Sequence, residues 1–206
     1  MLNPGLPLFP CLLMYLSTWE ATVDFHETIR RRRSVRKYSD QSVPEEAITR
    51  CLEAARLAPS WRNGQPWRFI VVRDRETIQG LVRANWLGGV VNLWLKDVPV
   101  VIVACAEARA SGDKGDQLYY LVDVAIALEH VVLAATAEGL GTCWIGGFSE
   151  DKVRDVLGIP DHIRVVAMTP IGYPADGKGL YDRLAAVGKR HWHRKPLSDI
   201  VRYEKW

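Results

Sequence analysis

Six cations and no acid fall within the eight residues Arg30-Arg-Arg-Arg-Ser-Val-Arg-Lys37. Part of this run reads as the end of a solvated helix, where cations are favoured. The whole of it does not, because so many like charges repel one another unless an anion lies among them. Nucleic acid is one such anion, but the run has no interleaved aromatics and the chain carries only +3 overall. A single phosphomonoester, with about −1.5 to −2 charges, suits a compact fork of arginines beside a serine hydroxyl. A second segment, Ala58-Pro-Ser-Trp-Arg-Asn-Gly-Gln-Pro-Trp67, is rich in turn formers. A turn alone does not require Ser60, Asn63 and Gln65 set between Trp61 and Trp67. Planar amides read the edge of a planar heterocycle, and indoles cover its face. A third segment, Glu138-Gly-Leu-Gly-Thr-Cys-Trp-Ile-Gly-Gly-Phe148, serves as a helix stop and a turn. Its glycines also let a ring approach the backbone and meet exposed N–H donors. The fourth, Lys189-Arg-His-Trp-His-Arg-Lys-Pro196, holds His191 and His193. Two histidines without a cysteine or carboxylate pattern complete no metal site, so no metal is expected.

Local signals say which elements carry these segments. Asp24 with Glu27 forms a capping box that opens a short helix through Arg32. Ser42-Val-Pro-Glu45 reads as a second box, with Pro44 near the first helical position. The helix after it places Ala47, Ile48, Cys51, Leu52 and Ala55 on one face, and Pro59 stops it. Arg68 to Arg73 reads as a strand, and Asp74 starts a helix reaching at least Trp86. Pro99 to Ala106 is a continuous apolar run of strand length, so burial on both faces is expected. Gln117 to Glu138 is the longest helical stretch, about 30 Å at 1.5 Å per residue. Its apolar residues circle the axis, which places it at the core centre or at a subunit interface. Gly139 to Gly141 ends it, Thr142 to Ile145 is a short strand, and Ser149 caps a helix to about Leu157. Ile163 to Ile171 is a further strand, and from Pro174 onward the chain reads as an extended tail. Helices and strands do not alternate strictly, so the class is α+β and not a doubly wound parallel sheet.

Composition limits the rest. The 206 residues suffice for one substantial core, 48% of them are hydrophobic and 25% charged, as in an ordinary soluble protein. Cys11, Cys51, Cys105 and Cys143 are widely spaced and include no C-x-x-C pair. A disulfide framework is not expected, and the implied compartment is a reducing cytoplasm. Residues 1–22 carry a single charge, Glu20, and match neither a secretory signal nor a bilayer span. They read as a flexible extension. Two origins stand, a start at Met14 (the favoured one) or an arm that docks on a partner subunit. Residues 23–206 read as a single domain with an extended tail.

Taken in order, Arg-Arg-Ser-x-Arg, Pro-Ser-x-x-Asn-x-Gln-Pro-Trp, Gly-Leu-Gly-Thr-Cys-Trp-Ile-Gly-Gly and the terminal Arg-Lys-Pro-Leu resemble the nitroreductase family of FMN flavoproteins. The likeness runs from about Asp24 to the end. It implies a central mixed or antiparallel sheet flanked by helices, and a homodimer with two FMN sites at its interface. Carried over by position, Arg32, Arg33 and Ser34 would hold the FMN phosphate and ribityl chain, joined from the tail by Arg194 and Lys195. Arg36 would lie by the pyrimidine side of the ring. Ser60, Asn63 and Gln65 would come from the other subunit. Ile145, Gly146 and Gly147 would present backbone near flavin N5. The reaction implied is ping-pong: NAD(P)H gives hydride to N5, and a nitroaromatic, quinone or similar small acceptor then takes it. Some family members have an acid at the position of Gly146. No protein nucleophile is needed, and no membrane or nucleic-acid partner is implied. Two alternatives stand beside this reading. One is a same-fold flavoprotein that dehydrogenates or dehalogenates a specific metabolite, for which a long lid between Arg83 and Lys96 would speak. The other is a nucleic-acid-binding domain using Arg30 to Lys37.

Overall fold

The computed structural model describes residues 23–177 and 194–206. The N-terminal extension, half of the tail after Pro174, and the pair His191 and His193 lie outside the described residues.

Helix α1, Phe25–Arg31, opens where the Asp24 carboxylate accepts the Glu27 N–H at 2.7 Å. It ends one residue before the expected Arg32, whose backbone turns to ψ 124 and starts an extended run. Helix α2, Glu45–Arg56, does not use Ser42 as a cap. Pro44 takes the capping position, with φ −59 and ψ 146 and no side-chain cap bond. The acids Glu45 and Glu46 in the first turn favour the positive helix end instead. Strand β1 is Trp67–Val72. Helix α3, Arg75–Ala84, is capped by Asp74, which accepts the Thr77 N–H at 2.8 Å. It stops short of the expected Trp86, because Asn85 turns its amide back onto the Leu81 carbonyl at 2.8 Å and pairs its backbone with Phe148. Trp86–Asp97 then runs as successive 3₁₀ turns.

Strand β2, Val100–Glu107, is the centre of the molecule. It lies antiparallel to β1 on one side and to β6, Ile163–Gly172, on the other, with a register shift at Ala104/Cys105. The two-residue strand β5, Gly141–Thr142, completes the sheet order β1-β2-β6-β5, and every pairing is antiparallel. The period of two along β2 separates two cores. Val100, Ile102, Ala104 and Ala106 pack with α2 and with α4, Tyr119–Ala137. Val101, Val103 and Cys105 pack with α3 and with α5, Glu150–Leu157. Each such aliphatic side chain taken from water stabilises the fold by about 1.5–3 kcal/mol, which is why the strand must be apolar throughout. A small hairpin of β3, Asp113–Lys114, and β4, Gln117–Leu118, precedes α4. A short helix α6, Leu197–Ile200, follows the tail.

Among the described residues α4 is the one helix long and apolar enough to cross a membrane by length and composition. Half of it is buried inside the protein. One face, including Val124, Leu128, Val131 and Ala135, is in the core, while Leu121 and Val122 are exposed next to Leu118. The all-round apolarity therefore serves the sheet on one side, while among the described residues Leu118, Leu121 and Val122 on the other side are exposed.

Candidate functional site

The cationic run is hung on the edge of the sheet. After α1 the chain runs extended, Ser34 pairs in parallel with Thr142, and the Val35 N–H donates to the Thr142 carbonyl at 2.8 Å. The approach is so close that a Cβ on Gly141 would sit 2.8 Å from Val35 Cβ, so only glycine fits there. Val35 is in turn held by the Tyr38 hydroxyl, which donates to its carbonyl at 2.7 Å. Burial pushes the Tyr38 phenol well above its ordinary pKa, and Cys143 adds to this against the opposing Arg36 and Arg33 charges. The phenol thus remains a donor across the working pH range. Its ring stacks on Trp94 at 6.3 Å.

Three residues beyond Thr142, Ile145 exchanges two backbone hydrogen bonds with Met168, at 2.9 and 3.0 Å. That pairing fixes where the Gly146-Gly147 turn leaves the sheet. Gly146 is exposed, and a side chain there would meet open space. The cationic segment and the glycine turn therefore share one site, joined through Thr142.

Arg32 is half-buried and Arg33 exposed, and among the described residues neither has an ion-pair partner. Other arginines do: Arg50 with Glu138 at 2.5 Å, Arg73 with Glu45 at 2.7 Å, Arg164 with Glu150 at 2.8 Å. Arg33 lines an open cleft of about 330 Å3 with Arg31, Val35, Gly139, Gly141 and Pro174. Arg31 belongs to the cationic run but is not among the residues that the family resemblance carries over. Its place in the cleft comes from the way α1 meets the end of α4, which no local signal reveals. Arg36 is half-buried beside Tyr38.

The amide loop lies elsewhere. Ser60, Asn63 and Gln65 bond among themselves: Ser60 Oγ accepts the Gln65 N–H at 3.0 Å, and Gln65 Nε2 donates to Asn63 Oδ1 at 3.1 Å. Arg62, Asn63 and Gln65 have φ of 51, 56 and 45, a left-handed backbone that costs non-glycine residues on the order of 1 kcal/mol each. Strain of this kind collects where a binding surface is held in shape. The Trp61 N–H donates to Asp123 Oδ1 at 2.8 Å, and the Trp61 ring stacks on Tyr119 at 5.4 Å. The loop is thus anchored at the start of α4, while Gly139 and Gly141 meet the cationic segment at its end. The 19 residues between span about 27 Å at 1.5 Å per residue. That exceeds the length of an FMN molecule, so one chain does not bring Ser60, Asn63 and Gln65 to Arg32–Ser34. Arg194 and Lys195 are exposed, and among the described residues no hydrogen bond or ion pair ties them to that segment.

Comparison with known proteins identifies the family. The model of the nitroreductase family matches residues 29–173. A Methanothermobacter thermautotrophicus protein provisionally named NADH dehydrogenase/NAD(P)H nitroreductase is 38% identical, over 78% of this chain and 82% of its own. A solved nitroreductase family protein from Clostridium novyi NT is 39% identical with a TM-score of 0.72, over 78% of this chain and 91% of that one. An FMN-dependent nitroreductase from Clostridium difficile R20291 is 31% identical, with a TM-score of 0.65 over 82% and 98%. The iodotyrosine deiodinase of Thermotoga neapolitana is also similar, 27% identical over 77% of this chain and 92% of its own. The solved structures share its fold, an antiparallel sheet between helical layers. The chain belongs to the nitroreductase family and is an oxidoreductase.

Proposed function

We propose that the protein is a homodimeric FMN enzyme that takes hydride from NAD(P)H and reduces a nitroaromatic, quinone or similar small acceptor. One observation carries this reading: Arg32 and Arg33, which have no ion-pair partner among the described residues, are tied through Ser34 and Thr142 to an open glycine turn on the same sheet edge. Arg32, Arg33 and Ser34 hold the phosphate and ribityl chain, with Arg194 and Lys195 closing on it from the tail. Arg36 lies by the pyrimidine side, where a cation favours the negative charge that reduction creates. Ile145 to Gly147 lie against the ring; the Ile145 N–H is taken by the Met168 carbonyl, and that pairing holds the bend from which the Gly146 and Gly147 N–H groups are presented. When bound, FMN would supply the two-electron chemistry, while the protein binds and orients it.

The second copy supplies Ser60, Asn63 and Gln65. Support for this comes from the distance along α4 between that loop and the cationic segment, and from the open apolar face with Leu118, Leu121 and Val122. Two such helices set antiparallel would bring each loop to the other's arginines. The buried thiols of Cys51 and Cys105 support a reducing cytoplasm as the place of work.

A second reading, a dehalogenase for one metabolite, draws on the similarity to iodotyrosine deiodinase. Against a long lid, Trp86–Asp97 forms only 3₁₀ turns, with Leu95 buried in the core. The test is direct. Purified protein should be yellow, bleach anaerobically with NAD(P)H, and regain colour on adding a nitroaromatic or quinone. A preparation that stays colourless with added FMN sinks the proposal, and re-oxidation by an iodotyrosine alone would move it to the second reading.

A further inference from the structure

We propose that Asp123 is a positioning residue, whose buried carboxylate holds the Ser60–Gln65 loop in the shape that completes the flavin site of the second subunit. The inference rests on the FMN reading above and adds to it a residue remote from the cofactor.

Asp123 is 2% exposed on α4, and both carboxylate oxygens are taken. Oδ1 accepts the Trp61 backbone N–H at 2.8 Å, and Oδ2 accepts the Ser111 hydroxyl at 2.7 Å. Among the described residues it has no ion-pair partner. A buried anion without a cation is an expensive way to fill space, and an apolar side chain of the same size would pack there at less cost. What the carboxylate gives is direction, because it ties three separate pieces of chain together. These are α4, the loop after α2, and the connection that follows β2.

The tie comes at the residue where support is most needed. Immediately after Trp61 the backbone enters the left-handed region at Arg62 and Asn63, and again at Gln65. The Trp61 ring is clasped as well, stacked on Tyr119 and covered by the Arg62 guanidinium at 4.3 Å. Behind it, a Cβ on Gly112 would come within 2.3 Å of the indole, so the neighbouring chain is pressed against the ring. Release of the Trp61 N–H removes the hydrogen bond that, among the described residues, links this strained turn to α4. The loop would then relax toward ordinary backbone angles, and Ser60, Asn63 and Gln65 would lose their common orientation. Binding would weaken because the loop must be ordered again each time.

The test uses the full-length dimer and reads FMN dissociation by quenching of flavin fluorescence, alongside the melting temperature of the apoprotein. Asp123→Ala should weaken FMN binding about tenfold or more, because the freed loop must be ordered on each binding event. Asp123→Asn should recover most of the affinity, since a carboxamide oxygen still accepts from Trp61. Ser111→Ala removes only one small hydroxyl and should lose affinity in the same direction; it carries the test if Asp123→Ala does not fold. A heterodimer then separates positioning from general damage. Asp123→Ala (or Ser111→Ala) in one subunit, paired with Arg32→Ala in the other, leaves one site with an intact loop and an intact arginine. That dimer should bind one FMN at wild-type strength, although both parent homodimers bind weakly. Wild-type affinity in a folded Asp123→Ala or Ser111→Ala homodimer overturns the inference, as does a heterodimer with no tight site. If the wild-type protein itself takes up no FMN, the flavin reading falls and this inference falls with it.

Discussion

Removing Arg32 and Arg33 together should separate cofactor binding from folding. Neither side chain has an ion-pair partner among the described residues, and both belong to a run of six cations. The double change to alanine therefore removes mutual repulsion and breaks no salt bridge, so the apoprotein should melt no lower than wild type. FMN binding should change greatly. A hydrogen bond to a charged partner contributes about 1.5–3 kcal/mol, and two that share one phosphate are not additive. A loss of at least about 2 kcal/mol is expected, which is roughly thirtyfold in Kd. Arg73→Ala is the matched control. Its guanidinium meets Glu45 at 2.7 Å and the Val43 carbonyl at 3.2 Å, far from the sheet edge that holds Ser34. Arg73 and Glu45 side chains are 40% and 71% exposed, so that pair contributes well under about 1 kcal/mol. The control should hold FMN as wild type does. Titration of apoprotein with FMN, followed by fluorescence quenching, gives all three constants. Equal weakening by Arg73→Ala, or an unchanged Kd for the double variant, would refute the assignment of the phosphate to this segment.

Two further predictions concern the framework of the site. Gly141→Ala places a Cβ 2.8 Å from Val35 Cβ and must push β5 away from the cationic segment. Such overpacking costs about 1–3 kcal/mol, so the melting temperature should drop by roughly 2–4 °C per kcal/mol, and FMN should be held less tightly. Glu150 accepts from Arg164 at 2.8 and 2.9 Å and from the Val165 N–H at 2.9 Å, fastening α5 to β6. The Arg164 hydrogen bonds, helped by the Val165 N–H and opposed by partial burial, hold the carboxyl below its ordinary 4.5. A depressed carboxyl stabilises the fold above pH 4.5 and loses that contribution as pH falls through the folded value. Glu150→Gln should thus lower the melting temperature at neutral pH and flatten its fall in acid. An identical acid profile for variant and wild type would show that this pair does not set it.

Much of the framework could be read from local sequence. Asp24, Asp74 and Ser149 cap helices at the expected places, because a cap depends on residues three positions away. The apolar run after Pro99 became the doubly buried β2, because burial on both faces leaves no position for a polar side chain. The order of the motifs also indicated the family. Ser42 failed as a cap because Pro44 took that position, and α3 ended early because Asn85 found partners at Leu81 and Phe148.

What only the folded chain decided is where these segments meet. The cationic run lies beside the glycine turn because Ser34 pairs with Thr142, across more than a hundred residues. The amide loop lies at the far end of α4, because Asp123 holds Trp61 from 62 positions away. The open face of α4 is likewise a result of packing, since the sequence made every side apolar and the sheet covers only one. Caps, periods and turns are properties of a few neighbouring residues and are written in sequence order. Contacts between distant residues depend on how layers stack, and a list of residues does not contain that geometry.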